Sequence, residues 1–250
     1  MNAMRALIRL TWIEIRMYLR EPVAAFFTFA FAPMMLILFG SIFGNQPNPL
    51  YGGRGMVDVS VPAYLGVIIA TVGLISAPIG TATAREFKVL KRFRATPLPT
   101  WMYMAANILM YYLVTLLGGI ALVIVGRWLF HMRFDGNPLW VWAGFTLSTL
   151  AFIALGILIA AVVPTARTAQ AVGMIAAFSM MALGGAWVPR EMLPSSVLQI
   201  ARWLPLTHVV TMMRGLWAGA SPGDHMGDIG FLLVVLIASA LLTIRAFRWE

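Results

Sequence analysis

The sequence predicts an all-α integral membrane protein with six transmembrane helices, and three observations carry that reading. The chain is 61% hydrophobic and only 11% charged over 250 residues, with a mean hydropathy of +0.86, too little polar surface for a soluble chain of this length. Its charges collect between uncharged apolar runs. Those runs have the length of a bilayer crossing, since about twenty helical residues traverse a hydrocarbon core of about 30 Å. They do not alternate polar and apolar residues as the strands of a membrane barrel do, which leaves helix as the spanning structure.

Five charge-free runs reach the required length: Val23 to Phe43, Val59 to Ala84, Thr100 to Gly126, Leu139 to Ala166 and Thr168 to Pro189. A sixth, Ile229 to Ile244, is slightly short and is completed by its flanks. With the N-terminus placed inside, twelve of the 18 lysines and arginines fall in cytoplasmic segments and six in outer ones. Both termini are therefore expected in the cytoplasm. Trp101, Trp128, Trp140, Trp187 and Trp249 lie near span ends, as an aromatic belt places them. This distribution also explains the net charge of +9: the basic residues flank spans and meet anionic headgroups, so nucleic acid is not the expected partner.

The stretch before the first span, residues 1–22, predicts an amphipathic helix lying in the membrane interface. Arg5, Arg9, Arg16 and Arg20 fall within about 60° on a helical wheel, with Glu14 opposite them on the apolar side. A purely lipid-facing helix does not favour an acid there, so Glu14 is expected either to touch another part of the protein or to be a badly placed acid on a basic anchor. The long basic stretch and the absence of a small-residue cleavage site read against a cleavable signal peptide.

Residues Val188 to Asp228, between the fifth and sixth spans, contain two apolar pieces of about ten residues, too short to cross. Met192 to Ala201 and Trp203 to Met213 are separated by Arg202, and Pro189, Pro194 and Pro205 punctuate them. They predict a short helical hairpin re-entering the outer leaflet.

Several chemistries are excluded. Lys88 and Lys91 are the only lysines, and neither follows a glycine in a GxxxxGK[ST] loop, so the chain has no P-loop for ATP hydrolysis. His131, His208 and His225 show no HExxH pattern and no carboxylate at metal-ligand spacing, and they fall in outer segments, away from an intramembrane serine nucleophile. Cysteine is absent. All nine acids lie at or beyond span ends, whereas ion-coupled transporters usually keep an ionisable group at mid-membrane. This favours movement driven from elsewhere.

The segment AREFKVLKRFRATPLPTW separates the second and third spans. Thr96 and Pro97 end a short helix starting near Arg85. Two readings fit it: an ordinary positive-inside loop, or a helix whose Phe87, Leu90 and basic side plug into a groove on a partner.

At these residues the sequence resembles the type-2 permeases of ABC transporters, especially their bacterial drug-resistance branch. RE-x-x-VLKRFRATPLP is similar to the family's cytoplasmic coupling segment, and GGAWVPREMLP-x-x-x-LQIARWLPLTHVV-x-x-MRGLW, Gly184 to Trp217, to its signature before the last span. One departure is Lys88, at a position where many members carry glycine. The resemblance implies one transmembrane domain over 1–250, with its coupling segment at 85–99 and its hairpin at 189–227. It implies a transport subunit that is no enzyme and binds no cofactor or metal. ATP and Mg would sit on a separate cytoplasmic ABC ATPase, and a second permease chain, identical or different, would complete the pathway. Coupling would fall to Glu86, Lys91, Arg92 and Arg94, with Glu14 or Arg16 as a second contact. The implied cargo is a hydrophobic or amphipathic compound exported across a bacterial cytoplasmic (inner) membrane. Lipid-linked polysaccharide export is a near neighbour, and an ATPase-independent channel or secondary transporter is the alternative of a different class.

Other residues keep two readings. Pro33 and Pro78 kink spans and either shape a pathway or are ordinary kinks. Gly40 with Gly44, and Gly156 with Ala160, favour close helix approach within the chain or between chains. Met174, Met180 and Met181 offer a pliable wall, with ordinary packing the favoured explanation. Arg202, His208 and Arg214 either greet an anionic headgroup or, as favoured here, anchor the hairpin by snorkelling.

Overall fold

A computed structural model describes residues 3–89, 99–187 and 194–246. Six helices in it are long and apolar enough to cross a membrane. In chain order the described helices are α1 (Ala3–Leu19), α2 (Pro22–Phe43), α3 (Met56–Glu86), α4 (Thr100–Phe130), α5 (Pro138–Val162), α6 (Ala166–Leu183), α7 (Ser195–Ala201), α8 (Pro205–Trp217) and α9 (Met226–Ala246). The spans are α2 to α6 and α9. The fourth apolar run stops earlier than Ala166, because Pro164 cannot continue the helix and α5 ends at Val162.

At 1.5 Å per residue, α3 is about 46 Å long, so its tips project beyond the hydrocarbon core. It is also the central element. Val61 to Ala70 are buried without interruption, and α2, α4, α5, α6 and α8 all pack against it. A helix apolar on every side has no preferred face to show to water, and enclosure by other helices is its natural place. By contrast α9, which packs on α5 and α8, leaves Val234, Ile237, Leu241 and Ile244 exposed.

Two spans carry short π-helical stretches, Phe26–Ala30 in α2 and Thr71–Ser76 in α3. Each lies just before one of the expected kink sites, Pro33 and Pro78. A proline lacks its own N–H and crowds the carbonyl four residues earlier; widening the preceding turn accommodates both effects. Glycines form the seams. A Cβ on Gly156 of α5 or Gly173 of α6 would collide with the carbonyl oxygens of Gly73 or Leu74 in the π stretch of α3. The small pair of the fourth span therefore serves packing within one chain. Gly40 and Gly44 divide their roles. Gly40 lies against the Phe130 ring, whereas Gly44 ends α2 with φ +67° and open space around it.

The end of the bundle away from α1 is tied by a buried polar knot that no sequence pattern announced. Asp58, in the first turn of α3, is only 2% exposed. Its Oδ1 accepts from Asn45 Nδ2 (2.9 Å) and Arg133 N (2.9 Å), and its Oδ2 from Gly55 N (3.1 Å). Asn45 Oδ1 in turn accepts from Val57 N (3.1 Å) and Asp58 N (3.2 Å). One carboxylate thus joins the α2–α3 connection, the start of α3 and the α4–α5 connection.

Substituting Asp58 by leucine leaves these donors without an acceptor at a buried position, at a cost of about 3 kcal/mol. Thermal unfolding of the detergent-solubilised variant should show a lowered midpoint, with Asp58→Asn intermediate.

Candidate functional site

Two polar clusters stand at opposite ends of the bundle, and their residues come from the segments singled out in the sequence.

The first lies at the end carrying α1. This helix has three kinds of face. Arg5, Arg9, Arg16 and Arg20 form an exposed basic stripe, with the Arg16 guanidinium 5.1 Å from the Trp12 ring centroid. Met4, Ile8, Trp12 and Leu19 are exposed and apolar. Ala6, Thr11 and Tyr18 are buried against the protein. Glu14 lies on the inward side, half-buried, where it interacts electrostatically with Tyr103 of α4; loss of hydration pushes its carboxyl above the ordinary carboxylate range. Of the two readings of Glu14, the one in which it touches the rest of the protein matches this placement.

One turn further on, the Tyr18 hydroxyl shares hydrogen bonds with Thr28 Oγ1 (2.6 Å) and Ser76 Oγ (3.1 Å). Thr28 sits in the π stretch of α2 and Ser76 in that of α3, so a single phenol links α1 to the irregular turn of both spans. Burial pushes this phenol up, against the opposing pull of its two hydroxyl partners. The edge of the Tyr18 ring also meets Tyr111 of α4 at a centroid distance of 6.3 Å. No sequence pattern singles out Tyr18, because a partner 58 positions away leaves no local trace.

At the tip of α3, consecutive residues serve two neighbouring helices. Arg85 donates from Nη1 to Ala160 O (2.7 Å) and from Nη2 to Pro164 O (2.9 Å) and Val163 O, satisfying carbonyls at the C-terminus of α5. Glu86 Oε1 accepts from Ala166 N (2.7 Å) at the N-terminus of α6. A cation at a helix C-terminus and an anion at a helix N-terminus each complement the local dipole. Thr165 completes the turn by accepting from Thr168 N (3.1 Å).

Just beyond the end of α3, Lys88 has a left-handed φ of +53°. This is the helix-stop position at which glycine is favoured, so the departure from the family pattern falls where a side chain is conformationally costly. Lys91, Arg92 and Arg94 lie outside the described residues.

The second cluster is at the opposite end. Two short helices, α7 and α8, lie in the segment between the fifth and sixth spans. Pro205 does not interrupt the second piece but opens it, at the first turn of α8, where its missing N–H is spared and its fixed φ suits the helix. Helix α8 is deeply embedded, with Leu206, Val209, Val210, Met212, Met213 and Leu216 buried against α3, α5, α6 and α9. Arg214 reaches α3, its Nε donating to Val59 O (3.2 Å). Arg202 is exposed and stacks on Trp203, 5.3 Å from the ring centroid. Pro194 precedes α7 and is exposed; Pro189 lies outside the described residues.

His208 and His225 share one carboxylate, a hydrogen-bonded pairing and not a metal-ligand set. His208 Nδ1 is 2.7 Å from Asp228 Oδ1, and His225 Nδ1 is 3.0 Å from Asp228 Oδ2. One carboxylate at the start of α9 therefore bridges two imidazoles. The His225 to Asp228 spacing of three was legible as a helical neighbour pair; the approach of His208 across twenty positions was not. His208 Nε2 faces Arg202 O at 2.9 Å, so both its ring nitrogens face oxygen acceptors. No group of three or more metal-ligating side chains occurs among the described residues.

Residues 5–217 match the family described as ABC-2 type transporter. The chain is 27% identical over 201 residues to the inner membrane transport permease YhhJ of Escherichia coli (strain K12) and of Shigella flexneri, covering 76% of this chain and 52% of either relative. It is 31% identical over 107 residues to nodulation protein J of Rhizobium leguminosarum bv. viciae, covering 41% of each chain. The chain thus spans about half the length of the first relatives it matches.

The Glu14 carboxyl is raised, so the folded state holds its proton more tightly than the unfolded chain. Stability then falls as pH rises from the ordinary glutamate value through the raised one. Thermal midpoints measured across this interval should decline for the natural protein and decline less for Glu14→Gln, which should also be the more stable above it. Lys88→Gly should relieve the left-handed strain and raise stability by about 1 kcal/mol, read as an upward shift of the same midpoint.

Proposed function

From the premise that this chain belongs to the ABC-2 type transporter family, we propose that it is the permease subunit of an ATP-driven exporter in a bacterial cytoplasmic membrane. The family match over residues 5–217 carries this reading. The chain itself is no enzyme: it lacks a P-loop, and the energy arrives from a separate cytoplasmic ABC ATPase that holds ATP and Mg. Two permease chains form the pathway. The cargo is a hydrophobic or amphipathic compound of the drug or lipid-like kind, moved outward. Both termini face the cytoplasm.

The geometry supports a division of labour. The end carrying α1, the tip of α3 and the α5–α6 turn is the cytoplasmic end, where the positive-inside bias places it. There α1 lies in the membrane interface on its apolar strip with its arginines toward headgroups, and Glu14 and Arg16 are a second contact with the ATPase. The segment that follows Glu86, with Lys91, Arg92 and Arg94, is the primary contact. Arg85 and Glu86 tie the start of that segment to α5 and α6, so movement imposed there reaches three spans. At the other end α7 and α8 re-enter the outer leaflet, and Arg202 anchors that hairpin at the interface.

The test is co-purification and transport in vesicles. Replacing Lys91, Arg92 and Arg94 together by alanine should leave membrane insertion intact, while nucleotide-driven efflux falls at least tenfold and the ATPase subunit dissociates. Full ATPase retention and efflux in that variant would remove the coupling role from this segment. Sustained uphill transport by the isolated chain, without any ATPase, would replace the exporter reading with a secondary transporter.

A further inference from the structure

A cavity of about 540 Å³ opens on the side of the bundle between α4 and α5. Its floor is made by Leu65 of α3, Phe145 of α5 and Trp217 of α8, all nearly fully buried. Its rim is made by Ile120 and Trp142, both about half exposed. Among the described residues lining it, only Arg127, near the end of α4, is charged. Arg127 Nη1 donates to Met132 O (3.0 Å), a neutral carbonyl, and no described carboxylate forms an ion pair with its guanidinium.

The dimensions and chemistry define what fits. Along α4 the lining runs from Leu116 to Arg127, about 16 Å at the helical rise. This is about half of a 30 Å hydrocarbon core, the depth of one leaflet. The cavity is therefore one leaflet deep, apolar along its length, open sideways toward lipid and cationic at its outer end. Water gains little there, since a water molecule needs two to four polar partners, and the lining supplies almost none.

We propose that this cavity holds one acyl chain of an anionic phospholipid from the leaflet opposite α1, with the headgroup phosphate on Arg127. The chain lies along Leu65, Phe145 and Trp217, and the guanidinium gives the phosphate two parallel donors. The inference depends on the membrane setting of the six spans and not on the transport reading, so it stands or falls apart from it.

Native mass spectrometry of the purified protein, exchanged into phosphatidylglycerol or into phosphatidylcholine of the same chains, tests it. One cation at the headgroup level contributes about 1 kcal/mol toward an anionic lipid, so phosphatidylglycerol should be retained about fivefold better. Arg127→Gln should abolish that preference while leaving a chain bound. Val141→Trp, which fills the cavity from α5, should remove both lipids. If that variant fails to fold, Ile120→Trp at the exposed rim blocks the same space and should do likewise. Arg133→Gln, an exposed cation of the neighbouring connection outside the lining, should leave the preference unchanged. Equal retention of the two lipids by the natural protein, undiminished retention in a folded filled variant, or loss of preference in Arg133→Gln would each overturn the assignment.

Discussion

A backbone inside hydrocarbon has no water to bond, so each buried N–H and C=O must find its partner in the protein. Along a helix that condition meets itself. At a helix end it does not, because four donors or four acceptors are left over. Much of this chain's scarce polarity is spent at such ends. Asp58 and Asn45 gather the donors at the start of α3, Arg85 takes carbonyls at the end of α5, and Glu86 takes an amide at the start of α6. The ionisable residues flank the spans for topology, but several of them also hold the flanks in place.

The interior follows a different logic. Association of apolar helices in lipid gains little from hydrophobicity, and close approach matters more. The seam where Gly73, Gly156 and Gly173 bring α3, α5 and α6 together is such a place. The same stretch of α3 is π-helical and contains Ser76, one of the partners of Tyr18. Thus the tightest packing, an irregular turn and a hydroxyl link to α1 all coincide within a few residues of α3. Straight helices could pack as closely without the irregular turn; here the turn lies just before the proline it accommodates.

Much of the fold was legible from residue pattern. Six spans and their order follow from uninterrupted apolar length, whereas the fourth and fifth apolar runs overshoot the ends of α5 at Val162 and α6 at Leu183. Two short helices before the last span were legible for the complementary reason, since ten apolar residues are too few to cross. Pro205 was legible only as punctuation, because proline is compatible with the first helical turn as well as with a helix end, and sequence alone does not say which. The polar clusters were the hardest to foresee. Glu14 was visible as an anomaly on a helical wheel. By contrast, the joining of Asp58 to Arg133, of Tyr18 to Ser76 and of His208 to Asp228 depends on segments that meet only after packing. Lys88 is an intermediate case: its difference from the family pattern was readable, and its left-handed backbone explains why that difference matters.

The adjacent pair at the tip of α3 also has a mechanical meaning. Arg85 grips the trailing edge of one neighbour and Glu86 the leading edge of the next, so two adjacent residues clasp the turn between α5 and α6 from both of its sides.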